Sequence, residues 1–213
     1  MFNYNKEYSN EEIGTGIQRI QESGCYIATI EKAILFKADK SKSEALKFTF
    51  ITEDQQITKI DIFYKNKEGE EIKHNNKNLV HLVDLLKINP AALQESKDDE
   101  GNLHIPILEG KIIGLFLTYE GLEKYIGSDD KEYEKANYNL RGFFDSRSKR
   151  TIKEINDNAV CTMFDTWTRN FEKENSIREK KEDEKKKYHE SNDNFKENIN
   201  NVSEDTDDDG FPF

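Results

Sequence analysis

Apolar side chains are scarce in this chain and unevenly spread. Hydrophobic residues make up 34% of its 213 positions, and charged residues 35%. A globular chain of this size is usually more apolar. Residues 171–213 hold almost no aliphatic side chains, so a sizeable core has to come from the first 170. No run of 18 apolar residues occurs, and no membrane span or membrane partner is expected. The start, Met1-Phe2-Asn3-Tyr4-Asn5-Lys6, is polar and lacks the apolar stretch of a signal peptide. The two cysteines, Cys25 and Cys161, lie far apart without a CxxC spacing, which reads as a reduced, intracellular protein. The four histidines, His74, His81, His104 and His189, are scattered and pair with no Cys or His at ligand spacing. No zinc site is therefore expected, and no other cofactor.

Catalytic signatures are missing too. There is no GxxxxGK[ST] phosphate loop, no GxGxxG after a strand, no HExxH and no GxSxG. Gly14-Thr15-Gly16 is too short for a phosphate cradle. The acidic groups Asp98-Asp99-Glu100 and Asp129-Asp130 fall in turns, whereas a metal-dependent nuclease needs carboxylates converging from strands. The expectation is a protein that is not an enzyme.

What is present is a change of period along the chain. Residues 1–22 read as an N-terminal arm. From Gly24 a period of two runs through Tyr26, Ala28 and Ile30 to Phe36, a long strand able to bend near its middle. Leu46, Phe48 and Phe50 alternate with Lys47 and Thr49 in a second strand, and Ile57 to Lys65 make a third. Leu79, Leu82, Val83 and Leu86 then sit at helical spacing, with Asn75 or Asn76 as the cap and Asn89-Pro90 as the stop. Residues 95–106 read as a polar loop. Lys111 to Tyr119 and Tyr133 to Arg147 give two more strands. Val160, Met163, Phe164, Trp167 and Phe171 form one apolar helical stripe, capped by Asp157 or Asn158, that packs on the sheet or else meets another copy in a homo-oligomer. Three strands, a helix and two strands is the order of a five-stranded OB-fold barrel, whose helix lies between strands 3 and 4. The expected domains are an OB domain over 23–171, a charged disordered linker over 172–206 and an acidic tip over 207–213.

The tip is the most informative segment. It reads Asp207-Asp208-Asp209-Gly210-Phe211-Pro212-Phe213. A disordered tail has nothing on which to bury aromatics, so two phenylalanines at its end call for a partner with a socket. The terminal ring fills the socket, its carboxylate meets a cation, and the acidic run steers the approach. Pro212 restricts the hook and lowers the entropy cost of docking.

This end resembles the C-terminus of bacterial single-stranded DNA-binding proteins, in which an acidic run precedes an apolar residue, Pro and Phe. Asp207, Asp208, Asp209, Pro212 and Phe213 match that pattern, and Gly210-Phe211 stands where the pattern has one apolar residue. The order of elements adds a resemblance to the single-stranded DNA-binding proteins of bacteriophages. The resemblance implies a protein of the bacterial host cytoplasm that coats single-stranded DNA in replication, recombination and repair, and that recruits replication and recombination proteins through its tip.

Charge alone does not point to DNA, since the formal net charge is -11. Residues 1–170 hold 24 basic and 29 acidic side chains. A DNA surface must then be a local groove. Alternation selects its members. With Ile60, Ile62 and Tyr64 facing in, Lys59 and Phe63 face out; with Leu140, Gly142 and Phe144 facing in, Arg141 and Phe143 face out. The candidate DNA contacts are therefore Lys47, Lys59, Phe63, Arg141 and Phe143, flanked by Lys37, Lys42, Lys65 and Arg147. The aromatics would stack bases while the cations follow phosphates. Two rivals are an acidic DNA mimic and a protein-only adaptor.

Overall fold

Strand-forming residues with a period of two dominate residues 24–144, and the chain folds accordingly. The computed structural model describes residues 19–126 and 130–200, with side chains to Lys181. The N-terminal arm to residue 18 and the tip lie outside the described residues. The chain divides into two units after Phe171.

The first unit is mainly β. Its strands are β1 (Gly24–Lys37), β2 (Glu44–Thr52), β3 (Ile57–Lys65), the short β4 (Ser96–Lys97) and β5 (Leu103–His104), β6 (Ile112–Ile126) and β7 (Glu132–Phe144). Helix α1 (Lys73–Leu85) follows β3, α2 (Ile152–Asn156) follows β7, and α3 begins at Met163. All seven strands join one antiparallel sheet, in which the five long strands run β3-β2-β1-β6-β7. Strand β1 serves two partners: Gly24–Thr29 pair with β6 and Ala28–Lys37 with β2. A register shift between Ile30 and Lys32 bends it between them, since an unpaired extra residue kinks a strand. The sheet is open: among the described residues no ladder joins its end strands β3 and β7.

One face of the sheet holds the core. Ile30, Leu46, Phe48, Phe50, Ile60, Ile62, Leu115 and Leu117 are buried there, and Leu82 and Leu85 of α1 plug it. Helix α1 is not capped by an asparagine as the sequence suggested. Asn75 and Asn76 donate instead to the Phe63 and Tyr64 carbonyls, tying the helix start to the end of β3. Asn89 caps the 3-10 turn Pro90–Ala92, accepting from the Ala91 amide at 3.0 Å. The expected loop over 95–106 contains the β4–β5 hairpin.

A second apolar layer lies on the other face of β6 and β7. Phe116, Phe144 and Phe171 are buried there, with Phe164 and Trp167 against them. Gly114 makes room for the Phe144 ring, because a Cβ at that position would lie 2.2 Å from it. The apolar stripe thus packs on the sheet through Phe164, Trp167 and Phe171, whereas Val160 precedes the helix and is exposed. The short helix α2 was not expected. It is set by the Thr151–Glu154 capping box, and Glu154 also receives the Thr162 and Met163 amides at the start of α3.

In the second unit α3 continues to Asn200. The sequence pattern allows a helix over 172–187 and predicts disorder beyond it. Glu and Lys alternate at helical spacing, and such pairs support a solvated helix by only a few tenths of a kcal/mol, about 0.2–0.5 each. Without an apolar stripe, the helical and unfolded forms of this stretch are close in free energy. No helix of the described residues is long and apolar enough to cross a membrane, which says nothing of strands.

Candidate nucleic-acid interface

The face of β1, β2 and β3 turned away from the core gathers most of the residues singled out in the sequence. Register places Ile34 beside Lys47 and Phe36 beside Ala45, then Lys47 beside Asp61, Thr49 beside Lys59 and Ala45 beside Phe63. These side chains share one surface because paired residues point the same way. Phe36 and Phe63 meet edge to face across the buried Ala45, with ring centroids 6.4 Å apart. Phe63 stays 37% exposed, enough to offer a ring to a ligand. The Lys47 ammonium lies 4.0 Å from the centre of the Phe36 ring and 4.0 Å from Asp61. Lys59 is exposed one register step further along.

The three flanking lysines converge at the other end of the aromatic pair. Lys37, Lys42 and Lys65 line one cleft of about 340 Å³ with Ser41, Ser43 and Glu44. Two of the cations already have partners. Lys37 lies 3.5 Å from Glu95, and Lys65 donates to Glu44 at 3.0 Å. The bonds from Lys65 and from the Tyr64 hydroxyl hold the Glu44 carboxyl below its usual range. Burial, then the same Glu44 contact, pushes the Tyr64 phenol up. Exposed pairs of this sort are worth little, about 0–1 kcal/mol, so a phosphate can displace the carboxylate at small cost.

Phe143 does not belong to this surface. The alternation in the sequence puts it outward with Arg141; it is 4% exposed and sits in the main core. The cause is a bulge: Leu117 pairs with Leu140 and Phe116 with Gly142, so Arg141 is an extra residue. That one insertion shifts the parity of β7, and Leu140 and Phe143 both turn inward. Phe144, expected in the core on the same face as Leu140, lies beneath α3 on the opposite face. Arg141 remains exposed on β7, its Nε donating to Thr118 at 3.1 Å. Arg147 is exposed on the turn beyond β7. Neither belongs to the strip on β1–β3.

Phe36 is the member that the sequence pattern does not single out. Alternation marks it only as the end of a strand, although its place just before the polar turn and next to Lys37 carries the same signal as Phe63. No protein-family model matches this chain, and no curated protein is significantly similar to it. The function therefore rests on the chemistry of the surface itself.

Two other features lie outside this strip. Tyr125 and Tyr133 stack with centroids 5.7 Å apart on the exposed β6–β7 hairpin. Between the middle of β3 and the middle of β7 an opening of about 290 Å³ is lined by Asp61, Asn75, Asn78, Glu120 and Asn139, with no cation among its lining residues.

Proposed function

We propose that this protein binds single-stranded DNA without sequence preference and recruits partner proteins through Asp207–Phe213. The observation that carries the reading is the strip on β1–β3: two half-exposed aromatic rings, Lys47 and Lys59 on one side, and the Lys37–Lys42–Lys65 cleft on the other. Rings accept bases of any identity, and a line of cations follows the backbone that joins them. The order of the elements supports an OB-type arrangement of this open sheet. A bent first strand pairs with both the second and fourth long strands, and a helix plugs the core between the third and fourth, the arrangement in which the face of the second and third strands takes ligands. The acidic tip of the sequence supports the recruiting role, and the host cytoplasm is the compartment in which both roles are exercised.

The test is a titration with fluorescent poly-dT at two salt concentrations beside a duplex of equal length. Tight, salt-weakened binding of the single strand with much weaker duplex binding is expected. Absence of binding to either overturns the reading and favours an acidic mimic or an adaptor. Deleting 207–213 should leave or raise poly-dT affinity and abolish capture of replication proteins.

A further inference from the structure

Helix α1 carries more apolar surface than the core uses. Leu82 and Leu85 are buried, but Leu79 and Val83 are only half-buried and Val80 is 56% exposed. Leu79, Val80 and Val83 line a groove of about 370 Å³. The part of α1 along it, residues 76–84, is about two turns and about 12 Å long at 1.5 Å per residue. Pro90, Leu93, Ile105 and Leu108, from the chain between α1 and β6, also line it, with Leu35 of β1 and Leu46 of β2.

The groove is built in place. Asn89 caps the turn that carries Pro90, and the Leu93 amide donates to the Pro90 carbonyl at 3.2 Å. The Ile105 amide donates to the Ala33 carbonyl at 2.9 Å, which fixes Ile105 to β1. A site formed before its ligand arrives saves the cost of ordering it on binding.

Its charged members have one sign. Asp84 and Glu95 line it, both exposed, and no lysine or arginine does. Asp84 is in no ion pair among the described residues, and Glu95 meets one cation, Lys37, at 3.5 Å. An apolar groove two helical turns long, with carboxylates beside it, fits an amphipathic helix whose apolar stripe is flanked by lysine or arginine. The acidic run Asp207, Asp208 and Asp209 has the wrong charge for it, so the tip and the groove call for different partners.

The Lys37–Glu95 pair joins this groove to the strip on β1–β3. Lys37 also lines the cleft with Lys42 and Lys65, and Tyr64, which lines the groove, donates to Glu44 of that cleft at 2.9 Å. A phosphate and Glu95 therefore compete for Lys37, and a partner's cation and Lys37 compete for Glu95. An outside cation that takes Glu95 leaves Lys37 to a phosphate. Such coupling is reciprocal: a strand that takes Lys37 bares Glu95 for the partner.

We propose that this groove receives a basic amphipathic helix of a partner protein, whose apolar stripe covers Leu79, Val80 and Val83 and whose cation takes Glu95 from Lys37. The partner then prefers the strand-loaded protein, and the strand binds more tightly to the partner-loaded one. The coupling, though not the docking, rests on the reading of the Lys37–Lys42–Lys65 cleft as a strand site.

The experiment uses the full chain and a fluorescent peptide of leucine and lysine, long enough to hold a helix, with leucines at i, i+3, i+4 and i+7. Saturable binding is expected, with amide shifts in the NMR spectrum of the chain gathered at residues 79–84 and 93–108. Val80→Lys, a change at an exposed helical position, should weaken binding by about tenfold or more. A peptide of the same composition with its leucines spread around the helix should bind as poorly. Equal binding to the Val80→Lys chain, equal binding of the spread peptide, or shifts gathered elsewhere overturns the docking. The coupling is read without peptide. Glu95→Gln releases Lys37 and should raise poly-dT affinity by about two- to fivefold, the range open to an exposed ion pair, and should do nothing in a Lys37→Ala chain. An unchanged affinity on Glu95→Gln, or the same rise in the Lys37→Ala chain, overturns the coupling. Failure of the unaltered chain to bind poly-dT overturns the strand reading and the coupling with it, while the docking is decided by the peptide alone.

Discussion

Phe63 and Phe143 are both strand aromatics, and one meets water while the other meets the core. Their replacements should separate cleanly. Phe63→Ala should leave the urea unfolding midpoint nearly unchanged and weaken poly-dT binding by about 1–3 kcal/mol, the usual worth of one stacked base. Phe143→Ala should cost about 3–5 kcal/mol of stability by opening a cavity in the main core. An unaltered poly-dT affinity in Phe63→Ala would remove it from the interface. At this scale alternation alone turned Lys47, Lys59 and Phe63 away from the core, as the structure has them, because β2 and β3 pair without interruption over those residues. It misplaced Phe143 because a bulge leaves no mark in composition; the Arg141-Gly142 pair, a long polar residue beside a glycine, was the only hint of one.

At the scale of elements the decisive carboxylate is Glu154. It accepts from the Thr151 amide and hydroxyl, the Thr162 amide and hydroxyl, and the Met163 amide, all between 2.7 and 3.0 Å. Burial alone would raise its pKa, but the donations from Met163, Thr151 and Thr162 outweigh that and bring it down from 4.5 to about 2. A depressed carboxylate stabilises the fold fully above its unfolded value and loses that contribution as pH falls. The seating of α3 should therefore weaken between pH 4.5 and 2, by up to about 3 kcal/mol at 1.36 kcal/mol per pKa unit. Trp167, 5.9 Å from Phe116 and 5.3 Å from Phe171, is the reporter. Its fluorescence should report lower stability to urea across that interval, and Glu154→Gln should flatten the pH dependence. The long strands and α1 were legible because apolar residues recur at the right period over most of their length. Helix α2 was not, because its five residues carry no period, and only Thr151-x-x-Glu154 announced it. That β3 and β7 stay unpaired was not legible either, since hydrogen bonding between strands far apart in sequence leaves no local pattern.

For the whole molecule, the contrast between a strongly acidic chain and a small basic strip sets how binding responds to salt. Overall repulsion from DNA and local attraction to it are both screened, but only phosphates neutralised at the strip release counterions. The slope of log affinity against log salt should become shallower by about 0.7 for each phosphate that a substitution leaves without its cation. Lys59→Ala should reduce the slope by that amount, and so should Lys47→Ala. A slope unchanged in both would place the strand elsewhere on the molecule.

The free edge of β3 is short. Arg19 bridges to Ile57 at one end, and Glu71 bridges to Lys65 at the other, where Asn75 and Asn76 also occupy the Phe63 and Tyr64 carbonyls. Between them the outward side chains are Lys59 and Asp61. An edge this brief, stopped at both ends and charged in its middle, is a poor template for an incoming strand. Copies crowded together at high concentration can then touch through other surfaces without fusing their sheets, and should stay dispersed where a longer bare edge would seed fibres.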